Sequence, residues 1–352
     1  MKSRAVVVGR FPDYTVREFE VPACGAEGLI VKVAAAPFGR RGLVDLRLDG
    51  AMDGRLRDFI PGGEIIGRVV SAPPAAAETW KVSEGDMVYI EPNIVCGFCK
   101  PCLTGNYSVC REQLRYGSFP LAERPELLAG GFSEYVSVLP NSRVHKLPED
   151  LPPESAVLLG TAERALRAVI KRGGGGLGKR MLVLGLDLFA VLACLAAEGV
   201  GMESAEIYAP DALETDRAAA EACGCVFTGE VAAGGYDIVL VSDAARENVE
   251  WAWRAPCPQG RLVFAVPPEL ADLPAGQLLH HEMTVTGVGN ASWDYERALR
   301  LVVQNAKRLS AVRTRWIDAA DFSAAVEAAE EALPDTCIRI RGPDGPIPSA
   351  PF

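Results

Sequence analysis

The chain has 352 residues, of which 49% are hydrophobic and 23% are charged, so its length suits two domains and its composition excludes a disordered chain. The formal net charge of −10 argues against nucleic acid or an anionic membrane as a partner and leaves a small molecule as the expected substrate. The apolar runs are all shorter than the roughly 18 residues of a membrane-spanning helix. The run at Met1–Val8 is too short for a signal peptide, so the sequence predicts a cytoplasmic protein with reduced cysteines.

Residues 1–152 are predicted to form an antiparallel β domain. Short β-rich runs are separated here by glycine and proline, which is typical of strands joined by turns. Five runs show the pattern: Ala5–Val8, Gly28–Ala34, Glu64–Ser71, Asp86–Glu91 and Gly131–Val138. The last run alternates apolar and polar residues as a half-buried strand does. A small barrel with an inserted lobe is the expected arrangement.

The inserted lobe, residues 92–115, contains four cysteines at the spacing C-x2-C-x2-C-x7-C: Cys96, Cys99, Cys102 and Cys110. Thiolates this close along the chain can converge on one tetrahedral ion, and four sulfur ligands without an open position describe a structural Zn²⁺ site. The alternatives are two disulfides, which a reducing compartment disfavours, and four unligated core thiols, which have no reason to occur at turn spacing. The sequence therefore predicts one zinc ion in this lobe.

From residue 153 to about residue 290 strands and helices alternate, which predicts a doubly wound parallel sheet, the Rossmann arrangement. The predicted helices are Pro153–Arg172, Phe189–Glu198 and Arg217–Cys223, and the predicted strands are Arg180–Leu184, Ala205–Ala209, Asp237–Ser242, Arg261–Val266 and Thr284–Val288. Residues 291–352 are predicted to return to the first domain. Their expected elements are the helices Tyr295–Leu309 and Asp321–Ala332 and the strand Cys337–Arg341.

The turn after the first strand of this second domain has a partial dinucleotide-binding fingerprint. Residues 185–190 (GLDLFA) occupy the pattern G-x-G-x-x-G, so Gly185 is present and Asp187 replaces the middle glycine. Asp187 can cap the following helix or lie against the pyrophosphate, and the cap is the favoured interpretation. Asp211 is a candidate for the carboxylate that binds the adenosine ribose, with a solvated loop charge as the alternative. The pattern does not decide between NAD and NADP.

Three further stretches point to a known family. Residues 61–67 (PGGEIIG) look like its Gly-His-Glu stretch, residues 84–88 (EGDMV) match its Gly-Asp-x-Val turn, and residues 130–135 (GGFSEY) match its Gly-Gly-Phe-Ala-Glu-Tyr. With the cysteine lobe, they make the chain resemble the medium-chain dehydrogenase/reductase family of the zinc alcohol dehydrogenase type. The resemblance implies a two-domain α/β fold, with a GroES-like β-barrel catalytic domain and a Rossmann domain. It also implies a cleft that holds the nicotinamide of NAD(H) or NADP(H) near Thr161, and a homodimer or homotetramer.

The same resemblance shows where this chain departs from the family. The catalytic zinc of the family has a cysteine, a histidine and a cysteine or glutamate as ligands, and these positions fall on or near Gly42, on Gly63, and on or near Gly160. The hydroxyl and the histidine of its proton relay fall on Val44 and Arg47. Because glycine has no donor atom, we predict no catalytic zinc, an emptied cavity at the three glycines, and one zinc ion per chain.

Charged residues near the vacated positions are the candidates for catalysis. Glu64 can be a buried acid/base, and a salt bridge to an arginine is the slightly favoured alternative. Arg40, Arg41 and Arg47 cluster around the first position, where arginine can bind an anionic substrate in a bidentate manner. A surface position remains the default for at least one of the three. Asp45 is predicted to pair with an arginine.

The sequence thus predicts an NAD(P)-linked oxidoreductase without a catalytic metal, which reduces a polarised C=C, C=N or C=O bond of an anionic substrate. In this interpretation Glu64 or a bound water moves the proton, and Arg41 or Arg47 holds the anionic group. Two other classes stay open. The chain can be a non-catalytic binding or assembly protein that kept the scaffold, which Asp187 and the missing ligands favour, or a non-redox lyase or isomerase that uses the same cleft.

Overall fold

The computed structural model describes residues 1–39, 42–44, 46–47, 58–123, 127–268, 274–289, 294–312, 314–330 and the backbone of 336–339. These residues form two compact units: 1–158 with 314–330 and 336–339, and 159–312. The division differs from the predicted one for residues 294–312, which belong to the second unit and not to the first domain. The reason is that the helix Tyr295–Gln304 packs on the helix Leu159–Leu166.

The first unit is built on antiparallel strands. Within residues 1–158 they are β1 (Lys2–Val8), β2 (Tyr14–Glu20), β3 (Leu29–Phe38), β4 (Ile65–Ser71), β5 (Met87–Ile90), β6 (Asn93–Ile94), β7 (Leu114–Arg115), β8 (Tyr135–Val138) and β9 (Val144–Lys146). β1 and β2 form a hairpin, and β6 pairs with β7. β3, β4, β5 and β9 follow one another in a sheet, and β8 pairs with the other edge of β3. The helical segments of this part are Pro74–Trp80, Lys100–Leu103, Pro153–Ala156 and the 3-10 turn Tyr107–Val109.

Two apolar clusters stabilise the first unit. In one of them the rings of Phe38, Phe132 and Phe322 lie 5.6–5.7 Å apart between centroids, and all three side chains are buried. In the other, Val31 of β3 and Ile65 of β4 are fully buried. Burial of each such side chain contributes roughly 1.5–3 kcal/mol to folding. β3 thus supplies side chains to both clusters, which makes it the central strand of the unit.

The second unit is a six-stranded parallel sheet. Its strands are β10 (Arg180–Leu184), β11 (Ser204–Tyr208), β12 (Val226–Phe227), β13 (Tyr236–Val241), β14 (Pro256–Phe264) and β15 (Thr284–Gly287), in the order β12-β11-β10-β13-β14-β15. Residues 181–184 of β10 and 238–241 of β13 are fully buried, as expected for parallel strands covered on both faces. Its helices are Leu159–Leu166, the π-helical Arg167–Arg172, Leu188–Gly199, Glu214–Ala222, Arg246–Arg254, Ala275–His281, Tyr295–Gln304 and Ala306–Leu309. The predicted doubly wound sheet is confirmed.

The last described segments return to the first unit. β16 (Arg315–Asp318) pairs in parallel with β17 (Thr336–Arg339), and β17 pairs antiparallel with the end of β3. The 3-10 turn Ala319–Asp321 and the helix Phe322–Ala328 lie between the two strands in sequence. In the ranges that the structure covers, no helix has the length and apolar character needed to cross a membrane.

Candidate functional site

The four cysteines of the lobe converge in the structure. Every pair of their sulfur atoms lies within 4.8 Å, and none of the four forms a disulfide. The Sγ–Sγ distances are 3.4 Å for Cys99–Cys102, 3.6 Å for Cys96–Cys110, 3.9 Å for Cys99–Cys110 and 4.0 Å for Cys96–Cys102. A tetrahedral Zn²⁺ with Zn–S bonds of about 2.3 Å requires sulfur atoms about 3.8 Å apart. The geometry therefore fits one zinc ion.

The backbone of the lobe explains this convergence. Gly97 has a φ of 79°, which reverses the chain between the first two cysteines, and a short helix begins directly after Cys99. The N–H of Cys99 donates to Sγ of Cys96 at 3.4 Å, and the N–H of Cys96 donates to Sγ of Cys110 at 3.5 Å. The turns thus aim backbone donors at the sulfur atoms, as a cluster of thiolates requires.

The chemistry of the four donors also favours a cation. The backbone N–H of Cys102 lowers the pKa of the Cys99 thiol to about 6, whereas burial raises the pKa of Cys102 to about 12. Four sulfur atoms in mutual contact cannot all be anionic without a counter-charge, and a bound divalent cation deprotonates its thiol ligands. In the part of the chain that the structure describes, this is the only group of three or more His, Cys, Asp or Glu side chains that could hold a metal ion.

A buried charged network connects the lobe to the sheet. The carboxylate of Glu91 is fully buried and lies 2.8 Å from Nε of Arg143 and 2.6 Å from Nε2 of His145. Cζ of Arg143 lies 4.7 Å from the ring centroid of Tyr107, which belongs to the 3-10 turn of the lobe. Burial acts to lower the pKa of Arg143, but the charge and the hydrogen bond of Glu91 outweigh it and raise that pKa. The sequence analysis missed this network.

Neighbouring atoms lie close to two of the three glycines at the positions of the family's catalytic zinc ligands. A Cβ atom at Gly42 would lie 2.8 Å from Cδ2 of Phe38, and a Cβ atom at Gly63 would lie 3.0 Å from the carbonyl oxygen of Tyr116. Gly160 lies in a helix of the second unit. A ligand side chain at Gly42 or Gly63 would therefore require these neighbours to shift, and the emptied cavity stays a prediction.

The predicted catalytic residues have different environments. Glu64 is half-buried and directly precedes β4. Nη2 of Arg47 lies 2.7 Å from Oε1 of Glu330, and the two side chains are 53% and 57% exposed. An anionic substrate would have to compete with Glu330 for this guanidinium. Arg40, Arg41 and Asp45 lie outside the described residues.

The turn at Gly185 has the geometry of a dinucleotide-binding turn. Gly185 has a φ of 103°, and its N–H donates to the carbonyl oxygen of Tyr208 at 2.9 Å. A Cβ atom at Gly185 would lie 2.8 Å from the backbone nitrogen of Asp243 and closer still to its Cβ. Only glycine fits at this position, which brings the ends of β10, β11 and β13 together.

Asp187 caps the helix that follows this turn. Its backbone is extended, and its Oδ1 accepts a hydrogen bond of 2.8 Å from the N–H of Ala190, in the first turn of the helix Leu188–Gly199. The favoured interpretation of Asp187 as an N-cap is confirmed. The carboxylate also places a negative charge at the end of the helix where an anion would bind.

The other predicted cofactor residues lie in the second unit as well. Thr161 is half-buried in the helix Leu159–Leu166, and Asp211 is exposed just after β11. The sequence analysis missed Tyr208, whose hydroxyl donates to Oε1 of Glu247. This hydrogen bond raises the pKa of Tyr208, with smaller effects from burial and from the charges of Glu247 and Asp211. The ends of β11 and β13 therefore carry a cluster of acidic side chains beside the Gly185 turn.

Comparison with known proteins shows that the sequence is similar to those of dehydrogenases. Residues 25–149 match the alcohol dehydrogenase GroES-like domain. A protein named "Probable alcohol dehydrogenase adh" from Mycobacterium tuberculosis is 32% identical over 201 residues, which are 56% of this chain and 54% of that protein. The L-threonine 3-dehydrogenase of Pyrococcus furiosus is 26% identical over 313 residues, 84% of this chain and 86% of that one. The chain thus matches about half the length of the first relative.

Solved structures share the whole fold. An alcohol dehydrogenase from Thermotoga maritima superposes with a TM-score of 0.81 at 18% identity, over 97% of this chain and 100% of that one. A zinc-binding dehydrogenase from Sinorhizobium meliloti, solved with bound NADP, gives a TM-score of 0.80 at 22% identity, over 96% and 99% of the two chains. These similarities confirm the GroES-like fold of the first unit and the Rossmann fold of the second.

Proposed function

We propose that the chain is an NAD(P)-linked oxidoreductase of the medium-chain dehydrogenase/reductase family, because residues 25–149 match the alcohol dehydrogenase GroES-like domain and the relatives that it matches are dehydrogenases. The observation that carries the proposal is the Gly185 turn, where β10 passes into the helix Leu188–Gly199 at the carboxyl end of a parallel sheet. Dinucleotides bind at such an edge because the turn and the helix N-terminus together receive the pyrophosphate. A bound nicotinamide cofactor supplies the hydride chemistry.

We infer that the reaction proceeds without a catalytic zinc. Gly42 and Gly63 offer no ligand atom. In both cases neighbouring atoms lie within about 3 Å of where the Cβ atom of a ligand side chain would be. Without a metal to polarise an alcohol or a ketone, the substrate must itself be activated, as a polarised C=C, C=N or C=O bond is. Glu64 would hold or deliver the proton, and Arg41 or Arg47 would bind an anionic group of the substrate.

The four-cysteine lobe would hold the one zinc ion of the chain. Cys96, Cys99, Cys102 and Cys110 provide all four tetrahedral ligands, so the ion has no position for water or substrate. Its role is to hold the lobe together. The lobe in turn contacts the sheet through Tyr107 and Arg143.

A second candidate function is a non-catalytic binding or assembly protein on the same scaffold. The observation that favours it is the carboxylate of Asp187, which caps the helix Leu188–Gly199 at the place where a dinucleotide would bring its negatively charged pyrophosphate. This candidate predicts that NADH and NADPH do not bind.

Thermal-shift titration with NADH and with NADPH tests the proposal. A cofactor that binds the folded chain raises its melting temperature by mass action. At a cofactor concentration of 100 times Kd, the free energy of unfolding increases by about 2.7 kcal/mol. We expect a saturable shift with at least one cofactor. Absence of a shift with either cofactor at millimolar concentration would support the assembly function. An activity that survives Glu64→Ala and Arg47→Ala unchanged would remove the roles assigned to these residues.

We further propose that the chain acts in the cytoplasm as a homodimer or homotetramer on a small-molecule substrate. The nine cysteines whose side chains the structure describes form no disulfide, which suits a reducing compartment. Light scattering coupled to size-exclusion chromatography measures the number of subunits, and a monomer at micromolar concentration would contradict the oligomer.

A further inference from the structure

We propose that Glu247, held by Tyr208, makes the nucleotide site select NAD(H), which lacks a 2′-phosphate, over NADP(H). The inference rests on the proposed function and specifies its cofactor. In this fold the carboxylate that binds the adenosine ribose usually follows the second strand of the sheet unit. Here β11 is followed directly by Ala209 and Pro210, whose side chains have no acceptor. The carboxylate that is hydrogen-bonded to the last residue of β11 comes instead from the helix that follows β13.

Tyr208 lies beside the nucleotide-binding turn. It is the last residue of β11 and pairs with Leu184, the last residue of β10. Its carbonyl oxygen accepts from the N–H of Gly185 at 2.9 Å, so the tyrosine and the turn are in direct contact. Its side chain is only 9% exposed, which fixes the direction of its hydroxyl. A group bound to that hydroxyl is therefore positioned relative to the turn.

Glu247 is the group that binds this hydroxyl. It lies in the first turn of the helix Arg246–Arg254, which follows β13, and its Oε1 accepts the hydrogen bond of Tyr208. The residue is otherwise exposed. One carboxylate oxygen is thus fixed by the protein, while the carboxylate as a whole faces solvent at the carboxyl edge of the sheet. A carboxylate only accepts hydrogen bonds, and the 2′- and 3′-hydroxyls of a ribose can donate them.

The neighbouring charges oppose a 2′-phosphate. The charges of Glu247 and of Asp211 both act on Tyr208, and Asp243 lies against Gly185. Three acidic residues therefore follow the ends of β11 and β13, near which the ribose would lie. The nearest arginine in sequence, Arg246, forms an ion pair of 3.2 Å with Glu250. A phosphate at the 2′ position would add about two negative charges to this cluster, whereas a hydroxyl adds none.

Equilibrium titration of NADH and NADPH by fluorescence tests the assignment, with the wild type and the variants Glu247→Gln, Glu203→Gln and Tyr208→Phe. We expect the wild type to bind NADH at least about tenfold more tightly than NADPH. Glu247→Gln should bring the two affinities within about threefold, mainly by strengthening NADPH binding. Tyr208→Phe keeps the ring and releases Glu247, so it should weaken NADH binding severalfold. Glu203→Gln removes the same charge from an exposed residue just before β11, at the end of the strand opposite Tyr208, and should leave the ratio unchanged.

The outcomes separate this inference from the proposed function. If both cofactors bind the wild type with equal affinity, if NADPH binds better, or if Glu247→Gln and Glu203→Gln change the ratio equally, Glu247 does not select the cofactor, and the proposed function stands. If neither cofactor binds the wild type, the proposed function fails and the selection by Glu247 fails with it. Competition of NADH by 2′,5′-ADP and by 5′-ADP gives the same ratio without the nicotinamide. Circular dichroism shows whether each variant is folded.

Discussion

At the residue scale, the carboxylate of Asp187 places a negative charge at the turn where the pyrophosphate of a cofactor would bind. Its Oδ1 accepts from the N–H of Ala190, so one of the donors at the helix N-terminus is already used by a charged group. We expect Asp187→Asn to strengthen NADH binding severalfold, because the amide oxygen can keep the cap while the repulsive charge is removed. Titration calorimetry or fluorescence measures the dissociation constant.

Asp187→Ala is the matched control for this prediction. It removes the cap together with the charge, and loss of an N-cap lowers the free energy of unfolding by about 0.5–2 kcal/mol. Stability should therefore fall in the alanine variant and change much less in the asparagine variant, while NADH binding strengthens in both. Unchanged NADH affinity in both variants would show that the Asp187 carboxylate does not oppose the cofactor.

Asp86 gives a residue-scale prediction about pH. Its carboxylate accepts from the N–H of Ser83 at 2.8 Å and lies 2.9 Å from Nζ of Lys146. Burial acts to raise the pKa of Asp86, but the hydrogen bonds from Lys146 and Ser83 and the charge of Lys146 outweigh it, so the pKa is lowered. A carboxyl whose pKa is lower in the folded chain stabilises the fold above its unfolded pKa, and this contribution is lost as pH falls through the folded pKa.

We therefore expect Asp86→Asn to reduce the free energy of unfolding by less than about 1 kcal/mol at neutral pH, since Lys146 is 48% exposed. The difference from the wild type should shrink as the pH falls below about 4, where the wild-type carboxyl also becomes protonated. Urea unfolding of both proteins at a series of pH values measures this difference in the free energy of unfolding. A difference that stays constant in acid would mean that the ionised pair is not its source.

At the element scale, continuous apolar runs were predicted correctly, whereas two strands with largely exposed side chains were missed. β10 and β13 are continuous apolar runs because both faces of a parallel sheet are covered, and both were predicted. β2 was missed because most of its side chains are exposed, and its stability comes from its hydrogen bonds with β1. β16 was missed for the same reason, since its side chains are exposed or half-buried.

The candidate sites differ in how far apart their residues lie along the chain. The zinc ligands lie within 15 residues of chain, so their spacing alone predicts their convergence. Tyr208 and Glu247 are 39 residues apart, and Glu91 and His145 are 54 apart. No local pattern connects residues so far apart, because only the fold brings the strand ends together. Such contacts could not be predicted from one sequence.

The cysteine lobe gives the prediction at the element scale. Four thiolates complete the tetrahedral coordination of one ion. Loss of one of them leaves three sulfur ligands and a fourth position open to water, which weakens binding of the ion. We expect Cys99→Ser to reduce bound zinc from about one per chain to near zero after dialysis against a weak chelator. Elemental analysis of the purified variant measures the metal content.

Cys24→Ser is the control for this variant. Cys24 lies outside the cluster, and its Sγ donates to the carbonyl oxygen of Gly28 at 3.2 Å. A serine hydroxyl can make the same hydrogen bond, so zinc content should equal that of the wild type. If Cys99→Ser also kept its zinc through dialysis, the four sulfurs would not be the ligands that hold the ion.

At the scale of the whole molecule, the number of zinc ions decides between a metal-dependent and a metal-independent reaction. The relatives are dehydrogenases, and the family resemblance leads one to expect two zinc sites. The described residues contain one cluster of ligands, and Gly42 and Gly63 offer no ligand atom at two of the positions of the second site. We therefore expect one zinc ion per chain in protein purified without chelators, and two per chain would contradict the inferred mechanism.

The position of that single ion must be tested together with its number. In the double variant Cys99→Ser, Cys110→Ser the lobe keeps only two sulfur ligands, so we expect no zinc. A double variant that still holds one ion would place it outside the lobe, where a site with an open position could activate a substrate directly. An empty double variant that still binds NADH would instead show that zinc serves the lobe and is not required for cofactor binding.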